Sequence, residues 1–181
     1  MKVLIPIADG SESLETIALV NVLRRAEIPV TLASITGRSM VEGTRGVTLV
    51  AEASYAEADA QAWDAVIIPG GEAGARALGA HAPLVHKLKQ HRLDHHWFGA
   101  ICAAPALTLA PHGLLDGKQA TCYPSFREHL LHWVNQPVVV DGHCITSQGP
   151  ATAIAFALEW VERLAGHERR REVARTMLAE A

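Results

Sequence analysis

Trp97-Phe98-Gly99-Ala100-Ile101 runs directly into Cys102-Ala103-Ala104-Pro105, and this junction decides the reading of the chain. The first five residues carry no charge, as a strand covered on both faces requires. The pattern then turns helical through about Ala110. A residue held where a buried strand turns sharply into a helix is lifted clear of the sheet. That is the geometry of a nucleophile elbow, often with strained backbone angles. The free N–H groups and positive dipole end of the following helix favour thiolate over thiol, so a lowered pKa is expected at Cys102. The N–H of Ala103 is expected near the sulfur. Gly71, with no side chain, lets a second backbone donor approach, and two such donors make an oxyanion hole. Free cysteine is also among the most buried residue types and often only fills space. On position alone the reactive and the space-filling readings of Cys102 stand level.

Outward from the junction, short apolar runs alternate with helical patterns, the mark of a parallel α/β sheet. Val3 to Ile7, Pro29 to Ser34, a short run Val47 to Val50, and Ala65 to Ile68 read as strands, the last stopped by Pro69-Gly70-Gly71. Leu14, Ile17, Ala18 and Val22 recur at helical spacing through about Ala26. A helix-rich stretch spans Pro83 to His95. Pro137 to Ile145 reads as a hairpin turning at Asp141-Gly142. Gly149-Pro150 opens an amphipathic helix with Ile154, Leu158, Val161 and Ala165 in register and Gly166 as its stop. A charged helix follows from His167, with Val173 and Met177 one turn apart. The fold expected is a doubly wound, mainly parallel α/β sheet sandwiched by helices, flavodoxin-like (Rossmann-like), with one domain over 1–181.

The 181 residues are 49% hydrophobic and 19% charged, with a net charge of −3. About 150 residues make a typical domain, so one domain is expected, burying roughly 70% of its unfolded surface. The charge balance gives no footprint for nucleic acid and no polybasic attraction to a membrane. No apolar stretch approaches a transmembrane length, and the opening MKVLIPIADG is too short for a signal peptide. Cys102, Cys122 and Cys144 form no CxxC pair, and their odd, sparse count points to reduced thiols and a cytoplasmic home. Cys122 and Cys144 sit at no strand-to-helix junction and read as inert.

Sheets of this class bind at the carboxyl ends of their strands. Three such ends stand out: Asp9 to Glu15, Pro69-Gly70-Gly71, and Cys102. Glu15, in the second turn of the first helix and near its inward face, would have its pKa raised by desolvation and could donate to a thiolate. Taken alone it reads as an ordinary, partly exposed helix glutamate, and Glu12 as a first-turn acid favourable to the helix dipole. His86, His91, His95 and His96 cluster without an HExxH pattern and read as a solvated helix surface rather than a metal site. Gly70-Gly71-Glu72-Ala73-Gly74 lacks the GxGxxG register of a dinucleotide loop. Arg169-Arg170-Arg171, between Glu168 and Glu172, reads as a solvated face. Trp133 and Trp160 read as core or interface surface.

GSESLET at 10–16, IIPGG at 67–71, AICAAP at 100–105 and SQGPATA at 147–153 together resemble the ThiJ/PfpI (DJ-one) superfamily. The order and spacing match from Lys2 to about Ala165, most closely the small single-domain Parkinson-disease protein deglycase branch and its bacterial relatives. The resemblance implies that Cys102 is the nucleophile, Glu15 the protonated acid bonded to it, and Gly71 and Ala103 the two backbone donors. Gly70 and Tyr123 are expected at the substrate, and no cofactor is expected. The resemblance also implies a homodimer. The activities it implies are glyoxalase-type hydration of small 2-oxoaldehydes such as methylglyoxal, repair of early glycation adducts, redox sensing at the cysteine, and chaperoning. Many relatives place a histidine where this chain has Tyr123, and the peptidase-like branch places one where it has Ala103. A tyrosine with a pKa near 10 is a poor base at neutral pH, so a cysteine peptidase, which wants such a base, is the weakest of these expectations.

Overall fold

The computed structural model describes residues 1–179. β1 (Val3–Ile7), β2 (Val30–Ser34), β5 (Ala53–Ser54), β6 (Ala65–Ile68), β7 (Trp97–Ile101), β8 (Val138–Asp141) and β9 (Cys144–Ser147) build one sheet in the order β5-β2-β1-β6-β7-β9-β8. All neighbours pair in parallel except β8 with β9. The fold is the expected flavodoxin-like, doubly wound α/β sheet. The sheet grows from β1 toward β2 on one side and toward β6 on the other, which makes the gap between β1 and β6 the switch point where such folds bind ligands.

The continuous apolar strands have a simple cause. Alternate side chains leave opposite faces of a strand, and both faces here are covered. Val3, Ile5 and Ile7 pack with Leu19, Val22, Phe156 and Trp160 under α1 (Ser13–Arg25), α5 (Ala153–Ala165) and α6 (His167–Thr176). Leu4, Val66, Ile68 and Phe98 pack with Leu78, Leu84 and Leu88 under α2 (Tyr55–Asp59), α3 (Glu72–Ala80) and α4 (Ala82–Leu93). Cys102 touches both layers, because it stands where the sheet ends.

The structure departs from the sequence reading in five places. Val47 to Val50 does not join the main sheet. Its β4 (Thr48–Val50) pairs antiparallel with β3 (Met40–Glu42), a strand the sequence reading passed over, and the two form a separate ribbon. α3 was also unread, because Leu78 is the one large apolar side chain among its nine residues. The β8–β9 hairpin turns at Gly142-His143, since Asp141 already pairs with Cys144. Gly142 takes the positive φ of 59° that this two-residue turn needs. In α1 the buried face runs through Ser13, Glu15, Thr16, Leu19, Val22 and Leu23, while Leu14 and Ile17 are 55% and 52% exposed. Finally, His91 is buried rather than solvated, with Nδ1 2.9 Å from the Trp97 carbonyl. Among the described residues no cluster of metal-ligating side chains forms, and no helix is long and apolar enough to cross a membrane.

Candidate active site

The carboxyl ends of β1, β6 and β7 lie side by side, and each delivers one part of the site. Cys102 follows β7 and holds φ at +65°, a left-handed conformation costly for a residue with a Cβ, on the order of 1–3 kcal/mol. Two backbone bonds hold it there. Cys102 N donates to the Ser147 carbonyl at 3.0 Å, and the Cys102 carbonyl accepts from Tyr123 N at 2.8 Å. The segment Pro105–Leu109 then winds with wide, five-residue hydrogen bonding, the Ala110 N–H reaching the Pro105 carbonyl. The N–H groups of Gly71 and Ala103 both bond to the sulfur and pull its pKa down.

After β6, Gly70 and Gly71 are required by space. A Cβ on Gly70 would land on Cys102 Cβ and 2.5 Å from Glu15 Oε2. Gly71 has φ +84°, and a Cβ there would strike the Gly10 carbonyl and lie 2.8 Å from Glu12 N. The Gly70 N–H donates to Glu15 Oε2 at 2.8 Å. Gly70 thus positions the acid with its N–H and makes room with its missing side chain.

After β1, Glu12 caps α1. Its carboxylate accepts from Leu14 N at 3.1 Å and from Thr44 Oγ1 at 2.6 Å, and Glu12 N donates to the Gly70 carbonyl at 2.9 Å. This clamp, absent from the sequence reading, ties the start of α1 to the end of β6 and to the turn before β4. One turn on, Glu15 is fully buried, not the ordinary helix acid its residue type suggested. Burial raises its pKa from 4.5 to about 7, the Gly70 N–H and the Cys102 side chain lower it, and the charge of Glu12 raises it. Among the described residues its Oε1 has no hydrogen-bond partner.

The thiol departs from the expectation of a lowered pKa. Burial pushes Cys102 up to about 12, and an ionised Glu15 adds to the rise, against the pull of the Gly71 and Ala103 N–H groups. Helix-start donors are present as read, but the desolvation of a half-buried sulfur and a neighbouring carboxylate outweigh them. Cys122 and Cys144 are buried, and burial lifts both thiols to about 12, with no backbone donor at either sulfur among the described residues. Tyr123 is 45% exposed. Its backbone anchors the elbow, and its ring lies against Gly149, where a Cβ would sit 3.3 Å from Cδ2. The structure thus gathers Cys102, Glu15, Gly70, Gly71 and Ala103 into one constellation with Tyr123 at its edge.

A profile of the DJ-1/PfpI family matches residues 1–163. This chain belongs to the DJ-1/PfpI family. It is 40% identical over 179 residues to Protein DJ-1 homolog B of Arabidopsis thaliana, covering 98% of this chain and 41% of that one. The chain therefore spans less than half the length of that plant relative. It is 35% identical over 190 residues to a Schizosaccharomyces pombe protein named glutathione-independent glyoxalase DJ-1, covering 98% of both. The structure of oxidized Toxoplasma gondii DJ-1 superposes with a TM-score of 0.96 at 36% identity, over 98% of this DJ-1/PfpI chain and 97% of that one.

Proposed function

We propose that this DJ-1/PfpI-family chain acts as a single domain on small 2-oxoaldehydes or early glycation adducts, through a Cys102 nucleophile, in response to oxidative and carbonyl stress. The observation that carries the reading is the elbow itself: a cysteine held at φ +65° with two backbone N–H groups on its sulfur and a buried carboxyl beside it. The relationship to a protein named as a glyoxalase supports the substrate class.

Cys102 and Glu15 shift each other and titrate as a pair. One proton leaves the pair near neutrality, and the surroundings decide which group keeps the other. The sulfur receives two backbone donors, whereas the carboxyl receives one, from Gly70, besides its contact with the Cys102 side chain. A proton on Oε1 removes the charge that raises the thiol and turns that oxygen into a donor toward sulfur. The working form is thiolate at Cys102 with Glu15 protonated.

With methylglyoxal, the sulfur lone pair forms a C–S bond to the aldehyde carbon. The Gly71 and Ala103 N–H groups hold the resulting alkoxide, which takes the Glu15 proton to become a hemithioacetal and leaves Glu15 a carboxylate. The Glu15 carboxylate takes the proton from that carbon and returns it to the neighbouring one, while the hydroxyl proton passes to the ketone oxygen, giving an alcohol beside a lactoyl thioester. Water then breaks the C–S bond and releases lactate and thiol. The purified protein should consume methylglyoxal, and Cys102→Ser should abolish that. Unchanged turnover in the variant would contradict the reading.

A second reading, an oxidisable sensor or chaperone without turnover, draws support from Ala103 and Tyr123, which leave the thiol without an imidazole base. Mild peroxide with mass spectrometry separates the two. Two added oxygens confined to Cys102, without methylglyoxal consumption, would favour sensing.

The proposed assembly is a homodimer. Leu14, Ile17, Val47 and Ile154 are between 44% and 55% exposed, and they line one apolar groove with Met177. A contiguous patch of this kind marks an interaction surface, and the proposal seats a second copy of this chain on it, in the cytoplasm.

A further inference from the structure

At the other end of β7 and β9, about 16 Å along the strands from the elbow, lies a cavity of about 340 Å³ that the chemistry above does not use. Three segments wall it: Arg92 and His95 from the end of α4, Asp116 to Lys118 from a loop, and the Gly142-His143 turn, with Phe98 between them. The cavity is rich in donors. The Arg92 guanidinium carries five N–H groups. It makes one hydrogen bond, to the Asp116 carbonyl at 3.0 Å, and among the described residues it forms no salt bridge. Lys118 Nζ donates to the Asp141 carbonyl at 3.2 Å, and the Asp141 carboxylate stands 3.9 Å off, its other oxygen taken by Gln119 N at 2.9 Å. The imidazoles of His95 and His143 lie 6.0 Å apart, each with a ring N–H to offer. The Asp116 carboxylate turns back toward Gly113, 3.0 Å from where a Cβ would sit. Arg92 and Lys118 both line the cavity, from separate segments. Burial raises the Cys144 thiol at the foot of β9, Lys118 and Arg92 lower it, and Asp141 raises it.

We propose that this cavity binds the phosphate group of a small phosphorylated metabolite. A flat carboxylate would be satisfied by the Arg92 fork alone. Two cations and two imidazoles reaching in from separate segments suit a tetrahedral oxyanion, and the volume leaves room for a small organic body beside Phe98. Asp141 and the carbonyl end of α4 oppose an anion, so weak binding is expected.

The test is a titration of the full chain with inorganic phosphate, at fixed pH and with ionic strength held constant by sodium chloride, read by NMR at the histidine ring protons. His95 and His143 should shift along a saturating curve. Arg92→Gln and Lys118→Met, chosen to keep length and folding, should each weaken binding at least tenfold. Cys102→Ser should bind like wild type, which separates this site from the elbow chemistry. A linear, non-saturating drift, or both cation variants within twofold of wild type, would overturn the proposal.

Discussion

The Gly70 N–H donates to Glu15 Oε2 at 2.8 Å, and that bond sets a fully buried carboxyl beside the Cys102 thiol. Strand β6 thereby fixes a side chain carried on α1 against a nucleophile carried after β7. No stretch of local sequence contains this relationship. It exists because three parallel strands end together.

The first prediction concerns pH. Burial raises the Glu15 carboxyl from 4.5 to about 7. The folded Cys102–Glu15 pair, which gives up one proton in that range, therefore holds it more tightly than the Glu15 carboxyl of the unfolded chain does. The resulting stability is complete below about pH 4.5 and is lost as pH rises toward and through about 7. Glu15→Gln removes the titration. Urea unfolding at pH 4.5 and 7.5 should show the variant gaining on the order of 3 kcal/mol relative to wild type at the higher pH. Parallel stability curves for the two proteins would refute this.

The second concerns space around the site. Gly70→Ala keeps an allowed backbone but drives a methyl onto Cys102 Cβ and Glu15 Oε2. Overpacking of this kind costs about 1–3 kcal/mol. Gly71→Ala adds a left-handed φ and a collision with the Gly10 carbonyl, so it should melt lower than Gly70→Ala. Equal melting temperatures would show that the loop yields freely.

The third concerns the apolar groove. Ile17→Asp places a charge at a position that is 52% exposed and outside the buried face of α1, so it should leave folding intact. Sedimentation should find wild type as a dimer and the variant as a monomer. A wild-type monomer, or an Ile17→Asp dimer, would remove the second copy from this face.

Much of this was legible in the sequence, for physical reasons that differ by residue. Val3 to Ile7 and Ala65 to Ile68 read as buried strands because both faces are covered, and such runs carry no polar alternation. Cys102 was legible because a strand and a helix meet there. The α1 face was misread because Leu14 and Ile17 have helical spacing but leave the fold, while a polar set, Ser13, Glu15 and Thr16, turns inward toward the site. α3, with Leu78 as its one large apolar side chain, and β3, three residues long, offer too little to be seen. The Glu12–Thr44 clamp was invisible, since it joins residues 32 apart through a separate ribbon. The raised pKa at Cys102 was missed because helix-start donors can be inferred from sequence, while the desolvation of a particular sulfur cannot.

The central claim is that Cys102 works as a thiolate while Glu15 keeps the pair's remaining proton. The most direct measurement is the ultraviolet thiolate absorbance of wild type minus Cys102→Ser, followed across pH. The account predicts a step near pH 7, the range in which burial places Glu15. A difference signal that stays flat until the strongly alkaline range, near the 12 to which burial and an ionised Glu15 push the thiol, would contradict it.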